Sequence, residues 1–70
     1  MKQNIIGAKL FALCEERGIT AERLSAQLAE YGVQLSEAQI AEIFQQSRQV
    51  NDIETAAFAE CLGCAVDELY

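Results

Sequence analysis

Short apolar segments, each ended by a glycine, are the feature that most limits what this chain can fold into. Gly18, Gly32 and Gly63 each follow a segment whose apolar residues recur with helical spacing. A glycine at such a place ends a helix, because it adopts left-handed backbone geometry without steric cost. Proline is absent, and alanine, leucine, glutamate and glutamine, which favour helices, are abundant. The pattern predicts an all-α fold of short helices.

N-cap residues predict where the helices begin. Thr20 precedes the second helix, and Ser36 and Asn51 precede the third and the fourth. Ser36 with Gln39, and Asn51 with Glu54, have the spacing of a capping box, in which each side chain bonds to the other residue's backbone N–H. The predicted helices span about Asn4 to Arg17, Ala21 to Tyr31 (21–31), Ser36 to Gln46 (36–46) and Asp52 to Leu62, with a short last turn at Val66 to Tyr70.

Apolar residues at helical spacing define the predicted core. The chain has 70 residues, which leaves room for one small domain with one core. We therefore predict a single domain, residues 1–70, built as a compact bundle of five short helices. The side chains expected to be buried are Ile6, Leu10, Leu13, Leu24, Leu28, Ile40, Ile43, Ile53, Ala57, Phe58, Val66 and Leu69.

The chain is acidic, with 11 acidic and 5 basic residues and a net charge of −6. Residues 1–20 carry a net charge of +1, whereas residues 36–58 carry −3, with Arg48 as their one basic residue. Proteins that bind nucleic acid through its phosphates present basic surfaces, because neutralising phosphates releases counterions. Only the first helix could offer such a surface, so the composition argues against tight phosphate binding.

Membrane and targeting signals are missing from the sequence. No apolar run approaches the roughly 20 residues that span a bilayer. The first residues, "MKQNII", lack the apolar core of a signal peptide. We expect a cytoplasmic protein without a membrane partner.

Cys14, Cys61 and Cys64 are an odd number of cysteines in a chain expected in the cytoplasm, which disfavours a disulfide framework. The "CLGC" segment has too few partners for a tetrahedral metal site, since the sequence has no histidine. We expect Cys61 and Cys64 to be buried as small apolar residues and Cys14 to be an exposed free thiol. No metal and no other cofactor is expected.

Catalytic motifs are missing as well. The sequence has no histidine, no nucleophile beside a base and no glycine-rich phosphate loop. So small a bundle also offers no water-excluding pocket. We expect neither enzymatic activity nor a small-molecule substrate.

Four segments, "ERGIT", "YGVQLS", "VNDIE" and "LGCAVDEL", follow one another in a fixed order. In this order the segments resemble the Xre type of helix-turn-helix domain. The resemblance covers nearly the whole chain, over the stretches "IGAKLFALCEERGITAERLSAQLAEYGVQLSEAQIAEIF" and "SRQVNDIETAAFAECLGCAVDELY". That family is typified by the phage repressors and Cro. The resemblance implies a lambda-repressor-like fold in which the second and third helices form the helix-turn-helix. It also implies that the third helix enters the major groove of DNA as the recognition helix.

Departures from the family pattern fall mostly where the family contacts DNA, whereas the core positions match. Fold and binding surface are therefore separate questions for this chain. The departures are Ala21 for the glutamine that opens the second helix, Glu37 and Glu42 for basic residues of the third, Phe11 and Cys14 for two arginines of the first, and Phe44 and Gln46 for the glutamate and the glycine of the "IExG" motif.

Nine residues are candidate DNA contacts by their place in this pattern. Gln39 could bond adenine through two contacts or only close the capping box on Ser36, and both roles stay open. Glu37 and Glu42 could accept from cytosine or form a solvated face that repels phosphates. Arg48 is the strongest phosphate candidate, whereas the two basic candidates of the first helix could equally lie beside surface glutamates. The nine are Lys9, Arg17, Glu37, Ala38, Gln39, Glu42, Gln45, Gln46 and Arg48.

Phe11 and Phe44 stand where the family has charged residues, so they are candidates for a protein-interaction surface. The alternative for Phe44 is that it covers Ile40 at the edge of the core.

Two functions fit these observations. The first is a small DNA-binding transcriptional regulator of the Xre or phage-repressor type, dimeric on a two-fold site and with weakened phosphate contacts. The alternative is a helix-turn-helix fold that acts as a protein-interaction or dimerisation module and does not bind DNA. The expected partners are DNA, a second copy of the chain, or another regulator protein.

Overall fold

The computed structural model describes residues 2–70. This range contains four α-helices and one 3-10 turn, joined by short loops, and no strand. The all-α prediction is confirmed. The Cα radius of gyration is 10.5 Å and the principal extents are 31 × 22 × 22 Å, so the bundle is compact. In chain order the elements are α1 (Gly7–Arg17), α2 (Ala21–Glu30), α3 (Glu37–Phe44), α4 (Asp52–Leu62) and the 3-10 turn (Val66–Leu69).

Caps fix both ends of most helices, as the sequence predicts. The Ser36–Gln39 and Asn51–Glu54 capping boxes are both formed, and they start α3 and α4. Gly18 and Gly63 end α1 and α4 with φ of 66° and 65°, in the left-handed region that other residues avoid. α4 therefore has the predicted bounds.

The start of α1 differs from the prediction, because Asn4 is used as a connector rather than as a helical residue. Its Oδ1 accepts a hydrogen bond from the Gly7 backbone N–H at 2.7 Å. Its Nδ2 donates to the carbonyl oxygens of Ile43, at 3.2 Å, and Arg48, at 2.7 Å. Asn4 thus ties the start of α1 to the end of α3, and the helix begins at Gly7.

α3 is shorter than predicted and ends at Phe44, because the chain reverses at Gln46. Gln46 has a φ of 62°. The N–H of Ser47 bonds to the carbonyl of Glu42 at 2.9 Å, and that of Gln46 bonds to the carbonyl of Ile43 at 3.0 Å. These two bonds form a Schellman motif, which satisfies the last carbonyls of the helix.

The predicted fifth helix is a single 3-10 turn of four residues. Glu68 Oε2 accepts from the Ala65 N–H at 2.8 Å and holds the turn at its start. Segments this short keep the tighter 3-10 spacing, because they cannot complete a ladder of i→i+4 bonds.

One core lies between the helices, where α2 packs against both α3 and α4, α1 packs against α3, and the 3-10 turn packs against α4. Phe58 of α4 is the largest fully buried side chain. The half-buried apolar residues Leu13, Cys61 and Cys64 lie at the edge of this core. The buried apolar residues are Ile6, Leu10, Cys14, Leu24, Leu28, Val33, Leu35, Ile40, Ile43, Ala57, Phe58, Ala59, Leu62 and Leu69.

Three burial predictions are wrong, and Leu13, Cys61 and Cys64, which were also expected inside, are only half-buried. Ile53 is 74% exposed and Val66 is 39% exposed, although both were expected inside. Ile53 lies five residues before Phe58, about 140° away around the helix, so it cannot share the Phe58 face. Cys14, expected outside, is 2% exposed, because it lies one helical turn after Leu10 on the inner face of α1.

None of the helices within residues 2–70 combines the length and the apolar character that crossing a membrane requires.

Candidate functional site

α3 is anchored on its inner side and open on its outer side. Ile40 and Ile43 are fully buried against the core. The loop before α3 is tied to α2, since Ser25 Oγ donates to the Leu35 carbonyl at 2.6 Å. We call the outward surface of this helix the α3 outer face, which consists of Glu37, Ala38, Ala41, Glu42 and Gln45; Ala41 is half-buried and the other four are exposed.

Gln39 has a structural role in the first turn of α3. Its Oε1 accepts from the Ser36 N–H at 2.9 Å, while Ser36 Oγ accepts from the Gln39 N–H at 3.1 Å. The capping alternative for Gln39 is therefore confirmed. The oxygen of its amide is used in the cap, which leaves the Nε2 amide group as the donor for an outside contact.

Gln46 faces the N-terminal segment rather than the α3 outer face. Its Nε2 donates to the Asn4 carbonyl at 3.1 Å, and its own carbonyl accepts from the Gln3 N–H at 2.8 Å. The left-handed backbone of Gln46 falls where the "IExG" motif has its glycine. The Gln46 side chain therefore links the end of α3 to the N-terminal segment.

Arg48 is the basic candidate that the structure brings to the α3 outer face. Its Nη1 lies 3.8 Å from Glu42 Oε1, and both side chains are partly exposed. An exposed pair of this kind contributes about 0–1 kcal/mol, so either charge could leave it for another partner at little cost.

Lys9 and Arg17 lie away from this surface and contact the C-terminal part of the fold. Lys9 Nζ donates to the Tyr70 carbonyl at 2.9 Å. Arg17 Nη1 donates to the Leu62 carbonyl, where a cation also complements the partial negative charge at the end of α4. Neither contact is with a surface glutamate, which was the alternative that the sequence left open.

Phe11 and Phe44 form an edge-to-face aromatic pair that links α1 to α3. Their ring centroids are 5.2 Å apart and the ring planes are inclined at 63°. Phe44 is half-buried and packs against the core, as its second alternative predicts, whereas Phe11 is 45% exposed. The pair therefore combines a packing role with exposed apolar surface.

Two shallow depressions flank this aromatic pair, and we call them together the aromatic groove. On the side of Cys14, Gly18 and the start of α2, the groove is lined by Glu15 and Ile19. On the side of α3 it is lined by Ala41 and Gln45. Because Ala41 and Gln45 also belong to the α3 outer face, the groove and that face form one continuous surface.

Burial raises the pKa of the Cys14 thiol from its ordinary value of 9.0 to about 11, although the nearby Arg17 partly opposes this effect. Burial also raises the pKa of Cys61, and the neighbouring Glu30 and Glu60 add to it. Both thiols are therefore protonated at neutral pH and are poor nucleophiles. Among residues 2–70, no three cysteine or carboxylate side chains lie close enough together to hold a metal ion.

Sequence reasoning missed two residues, Asn4, which supports the end of α3, and Ile19, which lines the aromatic groove. Asn4 was assigned to a helix, although a polar residue one turn before Gly7 and next to the apolar pair Ile5 and Ile6 could have indicated a cap. Ile19 was not considered as a surface residue, because it lines one depression with Phe11 and Phe44 only through the way α1 and α3 pack.

Comparison of the chain with protein-family models, curated proteins and solved structures found no match. The Xre resemblance therefore stays a prediction, carried by its motifs.

Proposed function

We propose that the chain is a small DNA-binding transcriptional regulator of the Xre or phage-repressor type. In this proposal α2 and α3 form the helix-turn-helix and α3 is the recognition helix. One observation carries it: Ile40 and Ile43 hold α3 by its inner side, while the α3 outer face is left open. This is the arrangement that a helix needs to enter the major groove.

The proposal assigns a role to each contact residue. The Gln39 Nε2 group and the Gln45 side chain meet base edges, where amide groups can donate and accept. Arg48 leaves its weak pair with Glu42 and contacts a phosphate. Ala38 and Ala41 allow the helix to approach the bases closely. A dimer on a two-fold site doubles these contacts.

Phosphate binding is weak in this proposal, because few basic side chains reach the surface involved. A specific repressor makes about six to ten phosphate contacts, whereas this chain has 5 basic residues in all. Lys9 and Arg17 are bonded to the C-terminal part of the fold. Glu37 and Glu42 repel phosphates, so affinity should be low at physiological salt.

A charge-reversal variant tests the proposal by removing the expected obstacle. Glu37→Arg with Glu42→Lys should raise affinity for duplex DNA and steepen the salt dependence by about 2 in the logarithmic slope, since each added phosphate contact contributes about 0.9. The matched control is Glu30→Arg with Glu60→Lys, which changes the net charge equally at exposed positions on α2 and α4. Fluorescence anisotropy with a labelled duplex measures both.

The control separates a local effect from a global one. The proposal expects the α3 variant to gain clearly more affinity than the control. Either of two results would reject the proposal. One is no binding of duplex DNA by the wild type even at about 50 mM salt, where electrostatic attraction is strong. The other is an equal gain in DNA affinity in the two variants.

The second candidate function is a protein-interaction or dimerisation module that does not bind DNA. The observation that favours it is the aromatic groove, because exposed apolar surface continuous with an acidic helix is typical of a protein contact rather than a phosphate contact. The interaction module is also favoured because three basic side chains already have partners within the fold. They are Lys9, Arg17 and Arg48. Binding of a protein segment in the groove, without measurable affinity for DNA, would support this candidate.

A further inference from the structure

We infer that the aromatic groove is a docking site for a cationic, amphipathic segment of another protein, with an apolar side chain between Phe11 and Phe44 and basic side chains along the rim. The inference rests on the second candidate function, not on DNA binding. It names the chemistry of the partner, which that candidate leaves open.

The floor of the groove supplies the apolar part of the contact. Phe11 leaves 45% of its surface exposed beside the edge of Phe44. Ile19 lies on one side of this pair and Ala41 on the other. Large apolar and aromatic side chains at the centre of a contact contribute most of the binding energy when a partner excludes water from them.

The rim of the groove supplies the charge. Glu15 lines it directly. Glu37 lies four residues before Ala41 and so on the same flank of α3. Among residues 2–70, no lysine or arginine lines the groove. Arg17 bonds to the Leu62 carbonyl and Arg48 pairs with Glu42. A partner with lysine or arginine beside its apolar anchor complements this rim.

A second copy of the chain fits the groove less well than a cationic partner. In a two-fold contact the same patch faces itself, so two acidic rims would face each other. Each copy also carries a net charge of −6. Duplex DNA meets the same difficulty, because its phosphates face the glutamates.

Three synthetic helical peptides test the inference by NMR titration of the full ¹⁵N-labelled chain. They share one leucine face and differ only in the polar face, which carries lysine, glutamine or glutamate. We expect the lysine peptide to bind most tightly and to shift the signals of Ile19, Ala41 and Phe44. Phe11→Ser and Ala41→Arg should each weaken its binding about tenfold.

Ile53→Ser is the matched control, because it removes a large apolar side chain that is 74% exposed on α4. It should leave the affinity for the lysine peptide unchanged. Ala41→Arg adds a positive charge to the groove and should repel the lysine peptide. Phe11 is not a proposed DNA contact, so Phe11→Ser should weaken peptide binding without lowering the affinity for DNA, and the two proposals can fail separately.

Several outcomes would overturn the inference. Equal binding of the lysine and glutamate peptides, or an equal loss in Ile53→Ser and Phe11→Ser, would show that the contact is not specific to the groove. Groove signals that move with protein concentration alone would assign the groove to a second copy. Tighter binding of the glutamine peptide would keep the interaction module and reject the cationic partner, whereas no binding of any peptide would reject both.

Discussion

Phe11 and Phe44 contact each other edge to face, with ring centroids 5.2 Å apart, at two positions where the resembled pattern has an arginine and a glutamate. Because the two positions touch, the residues of the pattern would form an ion pair there. In this chain an aromatic pair takes its place and still joins α1 to α3. The two replacements are therefore coupled: either one alone would leave a charge beside a ring.

Restoring the charges tests this coupling. Phe11→Arg and Phe44→Glu should each lower the free energy of unfolding by about 1–2 kcal/mol. The double variant should lose about 1 kcal/mol less than the sum of the two, because the new charges attract each other. Urea unfolding measures all four proteins. Phe11→Glu with Phe44→Glu is the control, and it should lose at least the sum. Strict additivity of the arginine–glutamate pair would contradict the coupling.

Gly7 should not tolerate a side chain, because α1 crosses the end of α3 at this residue. A Cβ added there would clash with the Ile43 carbonyl oxygen, and would lie 2.8 Å from Asn4 Oδ1 and 2.9 Å from Gln46 Cγ. We expect Gly7→Ala to lower the unfolding free energy by about 2 kcal/mol or more. Gly32→Ala, which meets open space but has a φ of 79°, should lose only about 1 kcal/mol from backbone strain. Equal losses in thermal unfolding would contradict the close approach.

Substitutions at Gln39 can separate its capping role from base contact. Gln39→Glu should keep the stability, because glutamate closes a capping box as well as glutamine does. It should nevertheless change DNA binding, because a carboxylate cannot donate to a base. Ser36→Ala removes the cap and should cost about 1 kcal/mol. Fluorescence anisotropy measures the DNA affinity. If it is unchanged in Gln39→Glu, Gln39 acts only in the helix cap and does not contact a base.

Deprotonation of Cys14 should lower the free energy of unfolding at alkaline pH. Burial raises its pKa from 9.0 to about 11, so the folded state holds the thiol proton more tightly than the unfolded chain. This stabilising effect is complete below pH 9.0 and is lost as the pH rises toward 11. The urea midpoint should therefore fall in this range, and it should fall less in Cys14→Ala when each protein is compared with its own value at neutral pH. Equal falls would contradict the assignment to Cys14.

Local sequence signals predicted most of the helices, and tertiary contacts account for the errors. Ser36, Asn51 and Gly63 act within one helical turn, so the bounds they imply are correct or nearly so. Asn4 bonds to Ile43 and Arg48, which lie 39 and 44 residues away, and no local pattern could place those partners.

The candidate site was predictable in its location but not in its contacts. The α3 outer face follows from helical spacing around Ile40 and Ile43. That Gln46 adopts left-handed geometry does not follow from its residue type, and only the resembled motif marks the position. The bonds of Lys9 and Arg17 to Tyr70 and Leu62 depend on how α1 packs against the C-terminal part of the fold.

The most direct measurement is an NMR titration of the full ¹⁵N-labelled chain with duplex DNA at about 50 mM salt, where electrostatic attraction is strong. We expect shifts concentrated on Glu37, Ala38, Gln39, Gln45 and Arg48, and we expect added salt to reverse them. Shifts that fall on α4 instead, or no shifts at any residue, would contradict a DNA-binding role for the α3 outer face.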